Sequence, residues 1–148
     1  MFPKIFIIFI GFFIIISHTQ AQNNNQIEIF DIEKRTIIKT IPTNPDIQSV
    51  AGKFLSEIKD LYKNINPIPK KGFMVKIPLD PSIKVHNQWI NDLIDEVIII
   101  FPIEGSPYIM TYDDQNNTYF FTINNIVNAD ILLKKMDFSA LPNSIFLF

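Results

Sequence analysis

The stretch EVIIIF at 96–101 most narrows what this chain can fold into. Val97 to Phe101 are apolar without a break, and the first four of them are β-branched. A strand with one wet face alternates apolar and polar side chains, so an unbroken run belongs to a strand covered on both faces, near the middle of a sheet. The remaining segments must supply that sheet's neighbours and its cover.

Neighbours are readable on both sides. IEIFDIEKRTIIKTI gives two β-branched runs, 27–32 and 36–41, around a charged turn, the pattern of a hairpin. In GFMVKIPL, Phe73, Val75, Ile77 and Leu79 alternate with Met74 and Lys76, as in a half-buried strand, and a proline-interrupted DPS loop follows. YIMTYDDQNNTYFFTI reads as a second hairpin, two aromatic-rich strands around a polar turn.

Cover comes from helical periodicity. Asn44, Pro45 and Asp46 form a helix start, with a capping amide, a proline at the first helical position and an acid at the positive end of the dipole. Ile47, Val50, Ala51, Phe54, Ile58, Leu61, Tyr62 and Ile65 then share one face, while Lys53 and Glu57 lie on the solvated side. Val85, Trp89, Leu93 and Val97 fall every fourth residue, which predicts a short helix over 88–94 capped by Asn87. Asn128 opens a last helix whose Ala129, Leu132, Leu133 and Met136 form its apolar face, with Lys134 and Lys135 at the negative end.

The order is β-β-α-β-α-β-β-β-α, an α+β domain with an antiparallel or mixed sheet of about five to six strands and two to three helices packed on it. One domain at 27–138 accommodates all of it. Before it, MFPKIFIIFIGFFIIISHTQAQ has one positive charge at Lys4, an apolar run from Ile5 to Ile16 and a polar stretch ending in Ala21, the layout of a cleaved secretory signal peptide over 1–21. That run is shorter than the roughly 20 residues a membrane span needs, so no stable span is expected once the leader is removed. A polar spacer at 22–26 follows, and the tail at 139–148 is apolar enough to need a docking surface or a partner.

Charge and composition exclude several functions. Loss of Lys4 with the leader takes the formal charge from −2 to −3, with no basic stripe for nucleic acid. The chain contains no Cys, which rules out a lipidated cysteine, disulfides, thiolate zinc sites and cysteine nucleophiles. One His, His86, remains in the mature chain, too few for a two-His metal site. Ser82, Asp80 and Asp92 lie near it in sequence, yet EGSP lacks the nucleophile elbow of a serine hydrolase.

DDQNN at 113–117 resembles a calcium loop in its first positions, but Thr118 and Asn124 stand where a glycine and a bidentate Glu belong, so a hairpin turn is expected. Gly52, Gly72 and Gly105 are too scattered to cradle a phosphate. No catalytic, cofactor-binding or metal-binding residue is assigned, and no cofactor is expected. Two features stay open. The acids Asp92, Asp95, Glu96 and Glu104 offer carboxylates for a small hydrolase, with Glu96 and Glu104 the first pair to consider. Tyr108 and Tyr112 share one side of their strand, and Tyr119 and Phe121 share one side of the next, so these four are the candidate partner-binding aromatic patch, or else core.

NPIPKKGFMVKIPLDPS, NQWINDLIDEVIIIFP, PYIMTYDDQNNTYFF and LLKKMDF resemble a family of short exported proteins of Bacillus-type bacteria, over roughly residues 27–138. The resemblance implies export from a Gram-positive cell and brings neither an activity nor functional residues with it. The expectation is an exported non-catalytic domain that binds a protein or a cell-envelope component. A carboxylate hydrolase and an inhibitor or immunity-like protein are the alternatives.

Overall fold

The computed structural model describes residues 25–124 and 127–138. The leader, spacer residues 22–24 and the tail at 139–148 lie outside the described residues. Among the described residues seven strands form one antiparallel sheet: β1 (Gln26–Asp31), β2 (Thr36–Pro42), β3 (Ile58–Leu61), β4 (Gly72–His86), β5 (Asn91–Pro102), β6 (Tyr108–Tyr112) and β7 (Thr118–Ile123). Two helices are seen among the described residues, α1 (Pro45–Ser56) and α2 (Val127–Lys135). The spatial order is β2-β1-β4-β5-β6-β7-β3, which puts β5 and its apolar run at the centre, with Val97 to Phe101 all buried. The α+β class and the two hairpins match the expectation, and the sheet holds seven strands where five to six were expected.

The extra strand comes from a helix that stops early. The periodicity predicts one helix face running to Ile65, but α1 ends at Ser56, where the Ser56 hydroxyl donates to the Lys53 carbonyl and Glu57 forms the cap. Ile58, Asp60 and Leu61 pair instead with Ile123, Thr122 and Phe121 of β7. Ile58 and Leu61 pack on the core either way, so the ladder with β7 decides between two equally apolar solutions. Ile65, outside the helix, is 96% exposed.

The predicted helix over 88–94 is a second correction. Residues 83–86 of β4 pair with 91–94 of β5, and Asn87 closes the turn between them. Its carboxamide oxygen accepts from the Trp89 and Ile90 N–H groups at 2.9 Å, and its own N–H donates to Ile90 O. Spacing by four is a multiple of the strand period as well as close to a helical turn, so the stripe through Val85 and Trp89 did not distinguish the two. The DPS stretch lies inside β4, as an irregularity between Pro78 and Ile83 that contains a cis Asp80–Pro81 bond. Gln48 of α1 holds it: its Nε2 donates to Pro78 O and the Thr43 hydroxyl, and its Oε1 accepts from Asp80 N–H.

Two further expectations change. Asn128 sits inside α2, and its amide nitrogen donates to both Glu57 carboxylate oxygens at 2.8 Å, so Glu57 joins the two helices where a solvated position was expected. Gln26, placed in the spacer by sequence, begins β1 opposite Pro42. Gly72 has a positional reason: with φ at 126°, a Cβ there would collide with the Phe101 carbonyl oxygen. Among the described residues no helix is long and apolar enough to cross a membrane.

Candidate functional site

The two faces of the sheet differ. On one, α1 and α2 seal the main core, in which Phe54, Phe101, Phe121 and Leu132 are fully buried. On the other, a smaller cluster of Ile98, Ile100, Tyr108 and Met110 is flanked by half-buried Tyr62, Met74, Tyr112 and Phe120. The strap there is the β3–β4 connection, residues 62–71. The Tyr62 ring stacks on Tyr108 at 4.0 Å, and the Tyr108 hydroxyl donates to Pro67 O. Burial, reinforced by Tyr62, pushes the Tyr108 phenol far above its ordinary value, so it stays a donor.

Register arranges this second face in rows. Ile37, Phe30, Met74, Ile100 and Tyr108 are successive partners across β2, β1, β4, β5 and β6. Thr40, Glu28, Lys76, Ile98, Met110 and Phe120 form the next row, continued into β7. The first row is apolar from the sheet edge inward, and its Ile37, Phe30 and Met74 keep contact with solvent. The second carries an ion pair, Lys76 Nζ to a Glu28 carboxylate oxygen at 2.8 Å.

The Glu28 hydrogen bond holds the Lys76 ammonium above its ordinary range. Glu96, also near Lys76, is pushed up by burial, with Lys76 opposing the shift. An apolar lane beside a lysine flanked by two carboxylates can seat an apolar side chain and orient a polar neighbour.

The four aromatic residues marked by sequence divide between the faces. Tyr108 and Tyr112 belong to the second face, Tyr108 almost fully buried beneath the strap and Tyr112 half-buried. Tyr119 and Phe121 belong to the helix face, stacked at 5.9 Å, with Phe121 buried and the Tyr119 hydroxyl donating to Asp113 at 3.1 Å. The cross-strand partners are Tyr108 with Thr122 and Phe121 with Ile109, so no single patch contains all four. Sequence reading passed over Phe30, Met74 and Phe120. The signal for them was apolar side chains at positions whose strand neighbours already point into the core.

Of the candidate acids, only Asp92 meets another carboxylate, that of Asp114 on the exposed end of the β6–β7 hairpin, and its hydrogen bond and proximity raise the Asp114 carboxyl above its ordinary range. Glu96 lies inside β5, six residues and about 20 Å of strand rise from Pro102 at its end, and Glu104 stands in the bend beyond, where a glycosidase pair needs roughly 5–10 Å. Asp92 accepts from the Asp114 N–H at 3.0 Å, tying the two hairpins together, and Asp95 is exposed. Ser82 and His86 are exposed on one strand, about 13 Å apart at the same rise, beyond hydrogen-bond reach. Asp80 and Ser82 line a cleft of about 530 Å³ at the start of α1, and His86 lines a separate hollow of about 260 Å³ between α1 and β4.

The DDQNN turn uses the first of its two carboxylates internally. Asp113 accepts from the Gln115 and Asn117 N–H groups, the Asn117 amide and the Tyr119 hydroxyl. The Asn117 bonds hold its carboxyl below the ordinary range, while Asn116 takes the left-handed φ of 60°. Among the described residues no group of three His, Cys, Asp or Glu is placed to hold a metal ion. In comparisons with family models, curated proteins and solved structures, the chain matches none.

Proposed function

We propose that the protein is an exported, non-catalytic binding domain whose partner, a protein or a cell-envelope component, seats on the second face of the sheet. One observation carries the reading: Phe30 and Met74, in register with the buried pair Ile100 and Tyr108, and Phe120, opposite Met110 in the next row, stand half-buried on a face that no helix covers among the described residues. Half-exposed aromatic and methionine side chains with a polar margin are the composition of a contact surface. Export rests on the leader at 1–21 and on the resemblance to exported Bacillus-type proteins. An inhibitor or immunity-like role is a special case, with an enzyme as the partner.

Photo-crosslinking tests it. A benzophenone amino acid at Phe120 or Met74 of the exported protein should give a discrete adduct in the secreting culture, and the same group at Lys53 on the exposed side of α1 should not. Equal labelling at both places, or none at Phe120 and Met74, rejects the face.

A further inference from the structure

Glu96 is the unsettled group of the second face. Among the described residues its side chain joins no ion pair and accepts no hydrogen bond, and the Thr111 hydroxyl donates to its backbone oxygen instead. Lys76, the cation nearest to it, is engaged by Glu28 at 2.8 Å. Glu28 and Asp95 add their own negative charge beside Glu96, so the polar rows of this face carry more acid than one lysine balances.

Glu96 is also half-buried, on a face with room for a partner. Anything that covers the face takes this carboxylate further from water, which it tolerates only when protonated or paired with a cation. A partner must therefore bring the missing charge.

Register says where that charge has to stand. Glu96 is paired with Pro78, one row beyond Lys76 and Ile98 and two rows beyond Met74 and Ile100. Four residues of strand separate the apolar row from the Glu96 row, about 13 Å. Side chains on one face of an extended peptide recur at the same interval, so a peptide aligned with β4 sets one side chain on each row.

Taking the second face as the contact surface, as proposed above, we infer that its partner is a protein segment lying extended over β4, with an apolar side chain on Phe30 and Met74 and, four positions along, an arginine or lysine on Glu96. The side chain between them meets the Glu28–Lys76 pair, where a hydroxyl fits and a second charge does not.

Three end-blocked probe peptides, Phe-Ala-Ser-Ala-Arg and the same sequence ending in Gln or in Glu, test this by NMR titration of the exported chain. The arginine peptide should shift the Phe30, Met74 and Lys76 signals and bind about tenfold more tightly than the glutamine peptide, the gain of one charge-assisted contact. Glu96→Gln should bring these two peptides to equal affinity and keep the shifts at Phe30 and Met74. Acidification of the wild type should erase the preference too, at a higher pH than a solvated carboxylate would set, because burial favours the protonated acid.

Equal affinity of all three peptides for the wild type would overturn the inference and leave the contact surface standing. A preference for the glutamate peptide would overturn it as well, by giving the choice to Lys76. Failure of every peptide to shift these residues rejects the segment, and the crosslinks at Met74 and Phe120 then decide the contact surface separately. Concentration-dependent shifts at Phe30 and Met74 without any peptide would assign the face to a second copy of the chain, again against the inference.

Discussion

Phe121 and Phe120 stand side by side in β7 and report on different halves of the molecule. Phe121 points under the helices, fully buried, in contact with Trp89 and Tyr119. Phe120 points to the second face, half-buried beside Met110 and, among the described residues, crossed by no helix. The first face has the continuous apolar packing that holds a domain together. The second has apolar side chains in excess of what the strap at 62–71 covers, which is why binding is placed there.

The sharpest way to break that contrast is to truncate both residues. Phe121→Ala should cost about 3–5 kcal/mol, as deletion of a buried ring usually does. Phe120→Ala should cost about 1 kcal/mol, because part of its surface already meets water. Urea unfolding measures both. Equal losses would mean that the second face is sealed and that its half-exposed rings belong to the core.

Trp89 lies between these extremes. Its ring packs on Phe121 at 5.7 Å while remaining half-exposed, so Trp89→Ala should cost roughly 1–3 kcal/mol. His86, exposed beside the Asn87 turn, serves as the control, and His86→Ala should stay within about 0.5 kcal/mol. A loss at His86 as large as that at Trp89 would mark the hollow between α1 and β4 as more than a packing gap.

The parts legible in the sequence were those where a single period admits one answer. EVIIIF could only be a covered strand, and Phe73 to Leu79 alternate too cleanly for a helix. Misreadings arose where one spacing served two structures. Phe54, Ile58 and Leu61 suit a helix face and also suit α1 followed by β3, and the choice lies in β7, about 60 residues further along the chain. The stripe from Val85 to Val97 needed the Asn87 turn to resolve it.

The second face was hidden for another reason. Whether an apolar side chain at an outward strand position is covered depends on the path of residues 62–71, and the strip NINPIPKK has no period from which to read that path.

The strap gives the next prediction. Tyr108→Phe keeps the ring stacked on Tyr62 and removes only the hydroxyl that donates to Pro67 O, so the loss should be about 1 kcal/mol. Hydrogen exchange should quicken in residues 62–71 and leave α1 unchanged. Faster exchange in both would mean that the strap and the helix face unfold as one unit.

The smallest effect tests the polar margin of the second face. Burial raises the Glu96 carboxyl above its ordinary value of 4.5, and the attraction of Lys76 only partly opposes this. The folded state therefore holds this proton to higher pH than the unfolded chain does. Glu96 costs nothing below about pH 4.5, where both states are protonated. Stability then falls as pH rises from there through the folded-state value, and levels off once both are ionised.

Glu96→Gln removes the titration, so the two proteins should show the same pH dependence below that window. The wild type should lose stability relative to the variant within it. Urea midpoints at half-unit steps from pH 4 to 7 would show the divergence. Divergence in the opposite sense would mean that Lys76 holds Glu96 ionised in the folded state, and that Glu28, Lys76 and Glu96 form an ion-pair network able to stand without a partner to cover it.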